Sequence, residues 1–274
     1  MEGIINMRKM IYVITAFVMF LIGCNDSGTG GDILVPAKLK MQTGSTWGYI
    51  TTMVNKRYDT LWVFQSEDTI FQNSVVTCEK ENDEVLNQSG LVRLRTQTQD
   101  GQDLFVQSHW YINNSSNLIR FAYTNNGVTA YVMPKRKEGK YLSVQEYLQI
   151  RGAMGDDLIL HKPNTDTISA FESPQILLRY PVKAGESWVM FQTPWHSVRK
   201  VIGTEMLNNP LGLTEVYKIE TKYNLGVTYY DYINLNQGLI KREFHDTLIM
   251  TGADDPGKAI GYVIWTERSD LISR

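Results

Sequence analysis

Met41-Gln-Thr-Gly44-Ser-Thr-Trp47 and Val182-Lys-Ala-Gly185-Glu-Ser-Trp188 each place a tryptophan three residues after a glycine, at an offset of 141. Two further matches follow in the same order. Val63-Phe-Gln-Ser-Glu67 parallels Val201-Ile-Gly-Thr-Glu205 at an offset of 138. Tyr111-Ile112-Asn113 with Leu118-Ile119-Arg120 parallels Tyr232-Ile233-Asn234 with Leu239-Ile240-Lys241, both pieces at an offset of 121. The offsets shrink along the chain, as loop insertions in the first half would require. Self-similarity of this kind marks a structural unit present twice.

The unit reads as β. Short runs alternate in polarity between turn signals, the pattern of antiparallel strands with one wet face. Val92 and Leu94 alternate with Arg93 and Arg95, and Tyr217 and Ile219 with Lys218 and Glu220. Asp100-Gly101, Asn126-Gly127 and Gln237-Gly238 are hairpin-turn signals. In each Gly-x-x-Trp copy the glycine lets the chain turn into a strand, and the tryptophan covers the open end of a curved sheet. The pair is read as packing rather than as a ligand-stacking platform.

The expected fold is therefore mainly β: two related antiparallel β-meander repeats forming curved sheets or half-barrels, with one short helix in the connector. The first repeat spans residues 34–133, the connector 134–178 and the second repeat 179–274. The helix rests on Ser143-Val-Gln-Glu146, a capping box, with Val144, Tyr147 and Leu148 on one face and Gly152 to end it.

Upstream of the body the chain changes character. Arg8 and Lys9 precede Ile11 to Ile22, which is apolar apart from Thr15 and only 12 residues long. A hydrocarbon core needs about 20, so the segment reads as a secretion signal rather than a permanent span. It closes on Leu21-Ile22-Gly23-Cys24, which resembles the lipobox of bacterial lipoproteins. That resemblance implies a lipid on the Cys24 thiol, cleavage just before Cys24, and acylation of the new amino terminus. Residues 1–23 would then be the signal peptide. One acyl chain binds a bilayer only marginally, at ~0.8 kcal/mol per buried CH₂, whereas two or more anchor stably. Residues 24–33, with Asn25-Asp-Ser-Gly-Thr-Gly-Gly-Asp32 at their heart, are polar and glycine-rich and read as a flexible tether. Asn25 and Asp26 leave the choice of membrane open; the expectation is the outer membrane, on its periplasmic or surface face.

The whole chain carries 27 basic and 29 acidic side chains. The leader holds two of the basic and one of the acidic, so the body keeps a small negative balance, which speaks against nucleic acid as a partner. Lys135-Arg136-Lys137 reads as a solvated loop. With Cys24 lipidated, Cys78 is the remaining thiol; it falls in the strand-like Ser74-Val-Val-Thr-Cys78 and reads as a small buried apolar residue.

No catalytic residue, cofactor site or metal site is assigned. His109, His161, His196 and His245 lack metal-ligand spacing, and no nucleophile elbow, phosphate loop or Ser-x-x-Lys occurs. Asp156-Asp157 and Asp254-Asp255 lack the calcium-loop pattern. Glu67 and Glu205 fall at matched places in the two copies, which points to structural use.

The body also resembles uncharacterised exported bacterial proteins with a Pro-x-x-x-Gly-x-x-Trp opening strand and, loosely, the half-barrel of periplasmic lipoprotein carriers. Gly44/Trp47 and Gly185/Trp188 meet the Gly-x-x-Trp spacing. Pro181 supplies the proline in the second copy, where the first has Lys40. The expectation is a membrane-anchored envelope lipoprotein with a non-enzymatic binding or scaffold role. Its partners would be the membrane and a lipid, glycan, peptide or envelope protein, with Tyr123, Tyr131, Tyr229, Tyr230 and Tyr232 able to line a binding surface. The alternative is an envelope hydrolase with carboxylates on separate strands.

Overall fold

The computed structural model divides into Met1–Val35 and Pro36–Arg274. It describes residues 38–100, 103–125, 167–192, 196–224, 226–251 and 258–274. These residues form twelve strands. The first six are β1 (Thr46–Tyr58), β2 (Phe64–Val85), β3 (Gln88–Asp100), β4 (Asp103–Asn113), β5 (Asn117–Asn125) and β6 (Thr167–Arg179). The second six are β7 (Ser187–Phe191), β8 (Ser197–Asn209), β9 (Gly212–Tyr223), β10 (Thr228–Asn234), β11 (Gly238–Thr251) and β12 (Ala259–Ser273).

All twelve belong to one sheet, in the order β6-β5-β4-β3-β2-β1-β12-β11-β10-β9-β8-β7. Each set of six runs as an antiparallel meander, and β1 joins the two by pairing antiparallel with β12 along Tyr49↔Leu271 to Tyr58↔Tyr262. The two halves of the sequence thus share a single sheet.

That sheet is rolled. Laid flat, twelve strands at about 4.8 Å spacing would be about 50 Å wide, and residues at its two ends could not touch. Here one buried apolar cluster takes side chains from every strand, including Trp47, Cys78, Leu94, Tyr111, Leu118 and Leu178 from the first six and Trp188, Val201, Ile219, Ile233, Ile240 and Leu271 from the second. The ends of the order, β6 and β7, meet through side chains. The Trp188 indole donates to the Ile176 carbonyl at 2.9 Å, and Arg199 on β8 donates to the Leu177 carbonyl at 2.9 Å.

The alternation read from sequence is present. Val92, Leu94, Thr96 and Thr98 are buried while Arg93, Arg95 and Gln97 are less so, and Ile219, Thr221 and Tyr223 are buried between the more open Lys218, Glu220 and Lys222. Inside the curve, small hydroxyls pair across strands, Thr51 with Ser269 at 2.8 Å and Ser74 with Thr98 at 2.9 Å. Small polar residues let the strands approach where larger side chains would overfill the interior.

The two Gly-x-x-Trp segments adopt one conformation. Gly44 and Gly185 lie at φ of 88° and 84°. The Gln42 carbonyl accepts from Ser45 and the Lys183 carbonyl from Glu186. Each glycine N–H then bonds into the neighbouring strand, Gly44 to the Cys78 carbonyl and Gly185 to the Val201 carbonyl, both at 2.8 Å. A left-handed φ without a Cβ penalty is what glycine supplies here. Both tryptophans are 4% exposed.

Two expectations need correction. Val63 is exposed and precedes β2, whereas Val201 is fully buried within β8 and faces the Gly185 turn as Cys78 faces the Gly44 turn. The Gly44 turn meets Cys78, not Val63, where the Gly185 turn meets Val201, so the turns do not align Glu67 with Glu205. The local likeness of Val-Phe-Gln-Ser-Glu to Val-Ile-Gly-Thr-Glu misled because strand sequences are degenerate. Separately, the last part of the 134–178 connector is strand β6. Pro174 sits where the β5–β6 register slips between Arg120↔Gln175 and Ala122↔Ala170, so no ladder bond is asked of it. The helix proposed at 143–152 lies outside the described residues.

Candidate ligand cavity

The rolled sheet leaves a partly open cavity of about 170 Å³. Its wall is apolar: Leu39, Met41, Trp47, Tyr49, Val76, Leu94, Tyr111, Leu118, Leu177, Leu178, Ile233 and Leu239. One side is polar, made of Arg120 from β5, Arg199 from β8, Tyr223 from β9, Tyr229 and Asp231 from β10 and Arg242 from β11. The pairing register explains this convergence. Asp231 faces Arg242 directly across the β10–β11 ladder. Arg199 lies two strands away, opposite Thr221, which in turn faces Tyr229. Thr221 is small and fully buried, so the Arg199 side chain passes over it to reach Asp231 diagonally.

Asp231 is 1% exposed, and two guanidiniums share its carboxylate. Arg199 donates to Oδ2, and Arg242 donates to Oδ1 at 2.6 Å and to Oδ2 at 3.2 Å. A buried ion group of this kind is held only when its partners are in place, because desolvated charge is costly. Beside it, Arg120 donates from Nε to the Gln175 amide oxygen at 3.0 Å and lies over the Phe171 ring, 5.2 Å from its centroid.

Two buried polar groups of the cavity stand apart. Arg199 uses Nη1 on the Leu177 carbonyl and Nη2 on Asp231, while its Nε meets no hydrogen-bond partner among the described residues. The Tyr223 hydroxyl, on a residue 4% exposed, likewise meets none in bonding geometry. Burial holds the Tyr223 hydroxyl in its protonated form well above its ordinary range; the neighbouring Tyr229 pushes the same way, and Arg120 and Arg199 oppose it. Leaving a buried donor unmade costs about 1–3 kcal/mol, so such groups in a cavity call for an explanation.

The residues singled out in the sequence are distributed as follows. Tyr229 lines the cavity. Tyr232 is buried in the main core, its hydroxyl donating to Glu243 at 2.7 Å, and Tyr230 donates to Glu220 at 3.2 Å. Tyr123 stacks between His109 and Phe171. His109 is buried among these rings, His196 is exposed, and His245 shares a hydrogen bond of 2.8 Å with Thr266. Cys78 is fully buried, and burial pushes its thiol up to about 11, with Glu81 acting in the same direction. Cys24, Tyr131, His161, Asp156-Asp157 and Asp254-Asp255 lie outside the described residues.

For the hydrolase alternative, a general acid needs a raised carboxyl pKa. Burial pushes Asp83 up, but hydrogen bonds from Lys80 and from Trp110 bring it below its ordinary value. Burial likewise raises Glu243, and Lys241 and Tyr232 outweigh it. Both are therefore held ionised. Among the described residues no cluster of His, Cys, Asp and Glu has the makings of a metal site.

The sequence reading missed Arg199, Asp231, Arg242 and Tyr223. One signal was available: Asp231 interrupts Tyr229-Tyr-Asp-Tyr-Ile233, an acid inside an otherwise aromatic and aliphatic strand.

No family model matches the chain, and no curated protein matches it. Two solved structures are similar to it. One is a protein inferred to be a lipoprotein, from Parabacteroides distasonis, at 12% identity and a TM-score of 0.33, covering 86% of this chain and 96% of that one. The other is a protein inferred to be exported, with a YmcC-like fold, from Bacteroides fragilis, at 11% identity and a TM-score of 0.36, covering 86% of this chain and 97% of that one. At that distance the likeness carries neither fold nor function across.

Proposed function

We propose that this chain is a lipid-anchored protein of the bacterial cell envelope that binds a small, largely apolar ligand inside its rolled sheet and performs no catalysis. The leader ending in Leu21-Ile22-Gly23-Cys24 supports the anchor, with Cys24 as the acylated residue and the outer membrane as its seat. A tether of polar and glycine residues then lets the body stand off the bilayer.

The observation that carries the binding role is the cavity itself, a mainly apolar space walled by strands from both halves of the chain. Its size narrows the occupant. An apolar cavity of about 150 Å³ accepts a benzene-sized guest, whereas sites for drug-sized ligands run to about 300–1,000 Å³. A space of about 170 Å³ suits one ring or a short chain, not the several acyl chains that a lipoprotein carrier must enclose. The mainly apolar lining also disfavours a glycan. A peptide or protein would have to present a single side chain.

The two six-strand meanders are read as duplicated copies of one unit. The shared Gly-turn geometry at Gly44 and Gly185 supports this, as does the offset of 123 between Cys78 and Val201, close to the 121 of the Tyr111/Tyr232 match.

Thermal unfolding of the full chain with toluene or hexanol tests the binding role. A ligand that occupies only the folded state raises the midpoint with concentration. A saturating upward shift is expected, and it should vanish when Ile233→Trp fills the cavity. Midpoints indifferent to both probes would defeat the proposed role.

A further inference from the structure

We infer that the turn between β1 and β2 is a second membrane contact: Leu61, Trp62, Val63 and Phe64 dip into the bilayer interface beside the lipid anchor. This rests on the anchored reading above, which supplies a bilayer within reach.

Four consecutive large apolar side chains stand exposed here, Leu61 at 81% and Trp62, Val63 and Phe64 at 46%, 55% and 53%. A tight turn asks for small or polar residues, so an exposed run of this kind calls for a partner. The turn is also firmly built. The Asp59 N–H donates to the Val63 carbonyl at 3.0 Å, and the Asp59 Oδ1 accepts from the Leu61 and Val63 N–H groups at 2.8 and 2.9 Å. Trp62 lies at φ of 63°, a left-handed conformation that is costly for a bulky residue. Its ring stacks on Tyr262 at 4.3 Å, and Tyr58 lies 5.8 Å from both Trp62 and Phe64. The backbone is thus held in a form that displays these rings together.

Chemistry and depth favour a bilayer. Tryptophan and tyrosine are the rings that settle at the lipid–water interface. Behind the turn comes a charged collar, Lys56 with Glu67 at 3.3 Å and Arg57 with Asp68 at 2.8 Å. These pairs cancel, so the turn meets an anionic surface without net repulsion, and their charges stop entry at the head groups. The apolar turn rises no more than about 13 Å beyond Arg57. Interfacial apolar segments sink about 5–10 Å, a comparable depth.

Reach agrees with this. At about 3.3 Å per residue, the 13-residue β1 puts the turn about 40 Å from the end where the chain enters the sheet. The 14 residues from Cys24 to Lys38 span at most about 50 Å. Anchor and turn therefore share one bilayer when β1 lies along it. A second copy is a poorer occupant, because four partly covered side chains fall short of the about 800 Å² per partner that a stable interface buries.

The chain isolated from the membranes of its native cells, reconstituted into vesicles of phosphatidylethanolamine and phosphatidylglycerol with or without bromine on the acyl chains, tests this. Flotation reads the anchor, and bromine quenching of tryptophan emission reads the turn. Of the six tryptophans, Trp47, Trp110 and Trp188 are buried in the protein and shielded from lipid. Brominated vesicles should quench the parent, and Trp62→Phe, which keeps an aromatic turn, should lose that quenching. Leu61→Asp combined with Phe64→Asp changes exposed positions only; this variant should float as the parent does and also lose the quenching. Quenching that is equal in the parent and Trp62→Phe overturns the contact. So does a parent that floats without quenching, the result expected if a second copy or another envelope protein covers the turn; in both cases the anchor stands. A chain that does not float defeats the anchor and the contact together.

Discussion

Arg199 and Asp231 form an ion pair across an intervening strand with side chains only 3% and 2% exposed, and Arg242 shares the same carboxylate from the other side. The three residues bind β8, β10 and β11 together at the polar side of the cavity. Their arrangement is asymmetric, one acid between two bases, and the asymmetry sets the cost of breaking it.

Asp231→Leu strands two guanidiniums and should lower stability by about 3–5 kcal/mol, the usual penalty for an uncompensated buried charge. Arg199→Met leaves Asp231 neutralised by Arg242 and should cost clearly less. Urea denaturation of the two variants measures this. Equal losses, or the reverse order, would show that Arg242 does not hold the carboxylate.

Trp47 donates its indole N–H to the Gln237 carbonyl at 2.7 Å, joining β1 to the turn before β11. Trp47→Phe keeps most of the buried ring and removes this bond, so a loss of about 1–2 kcal/mol is expected. Trp47→Ala empties the site and should cost about 3–5 kcal/mol. Trp188, bonded to the Ile176 carbonyl at 2.9 Å, should follow the same order. A phenylalanine variant as damaged as the alanine variant would mean the hydrogen bond, not the burial, dominates.

Gly44 and Gly185 make a cleaner comparison. A Cβ at either position would meet nothing within 4 Å, so alanine there is penalised by backbone conformation alone. Each Gly→Ala change should cost about 1–2 kcal/mol, and the two costs should match. Denaturation midpoints that differ widely between them would argue against one conserved turn used twice.

Stability should fall in alkali. Burial and Glu81 raise the Cys78 thiol from its reference of 9.0 to about 11, and burial raises the Tyr180 hydroxyl from 10.0 to about 12 against a hydrogen bond from Leu39. Each group has a raised folded pKa, so its contribution is complete below the unfolded value and lost as pH climbs through the folded one. The window is therefore pH 9 to 11 for Cys78 and 10 to 12 for Tyr180. Urea midpoints of the parent should drop between pH 8.5 and 10.5, with Cys78 supplying about 2 kcal/mol. Cys78→Ala, less stable at pH 8.5, should show a shallower drop. A parallel pH profile for the two proteins would contradict the buried-thiol account.

Local pattern carried the strands into view, since Val92 and Leu94 against Arg93 and Arg95 reflect a period of two that any half-buried strand must show. Gly44 and Gly185 were legible for a similar reason: a left-handed turn leaves a glycine in the sequence. What the sequence could not display was register. That Cys78 and Val201 each accept from a turn glycine depends on which carbonyl that glycine meets, and no side-chain pattern encodes that. Strand β6 was not legible because the register slip that accommodates Pro174 is a property of the β5–β6 pair. The cavity was least legible of all. Arg120, Arg199, Asp231 and Arg242 come from four strands, and each alone reads as an ordinary solvated charge until the rolling of the sheet buries it.

The anchor proposed for this chain is a covalent lipid at Cys24. Intact-mass and peptide mass spectrometry of the protein isolated from the membranes of its native cells measures that directly. The account predicts a polypeptide beginning at Cys24, with residues 1–23 absent and the mass raised by a thiol-linked lipid and an amino-terminal acyl chain. A chain that retains Arg8 and Lys9, or that starts elsewhere with an unmodified Cys24, would contradict it.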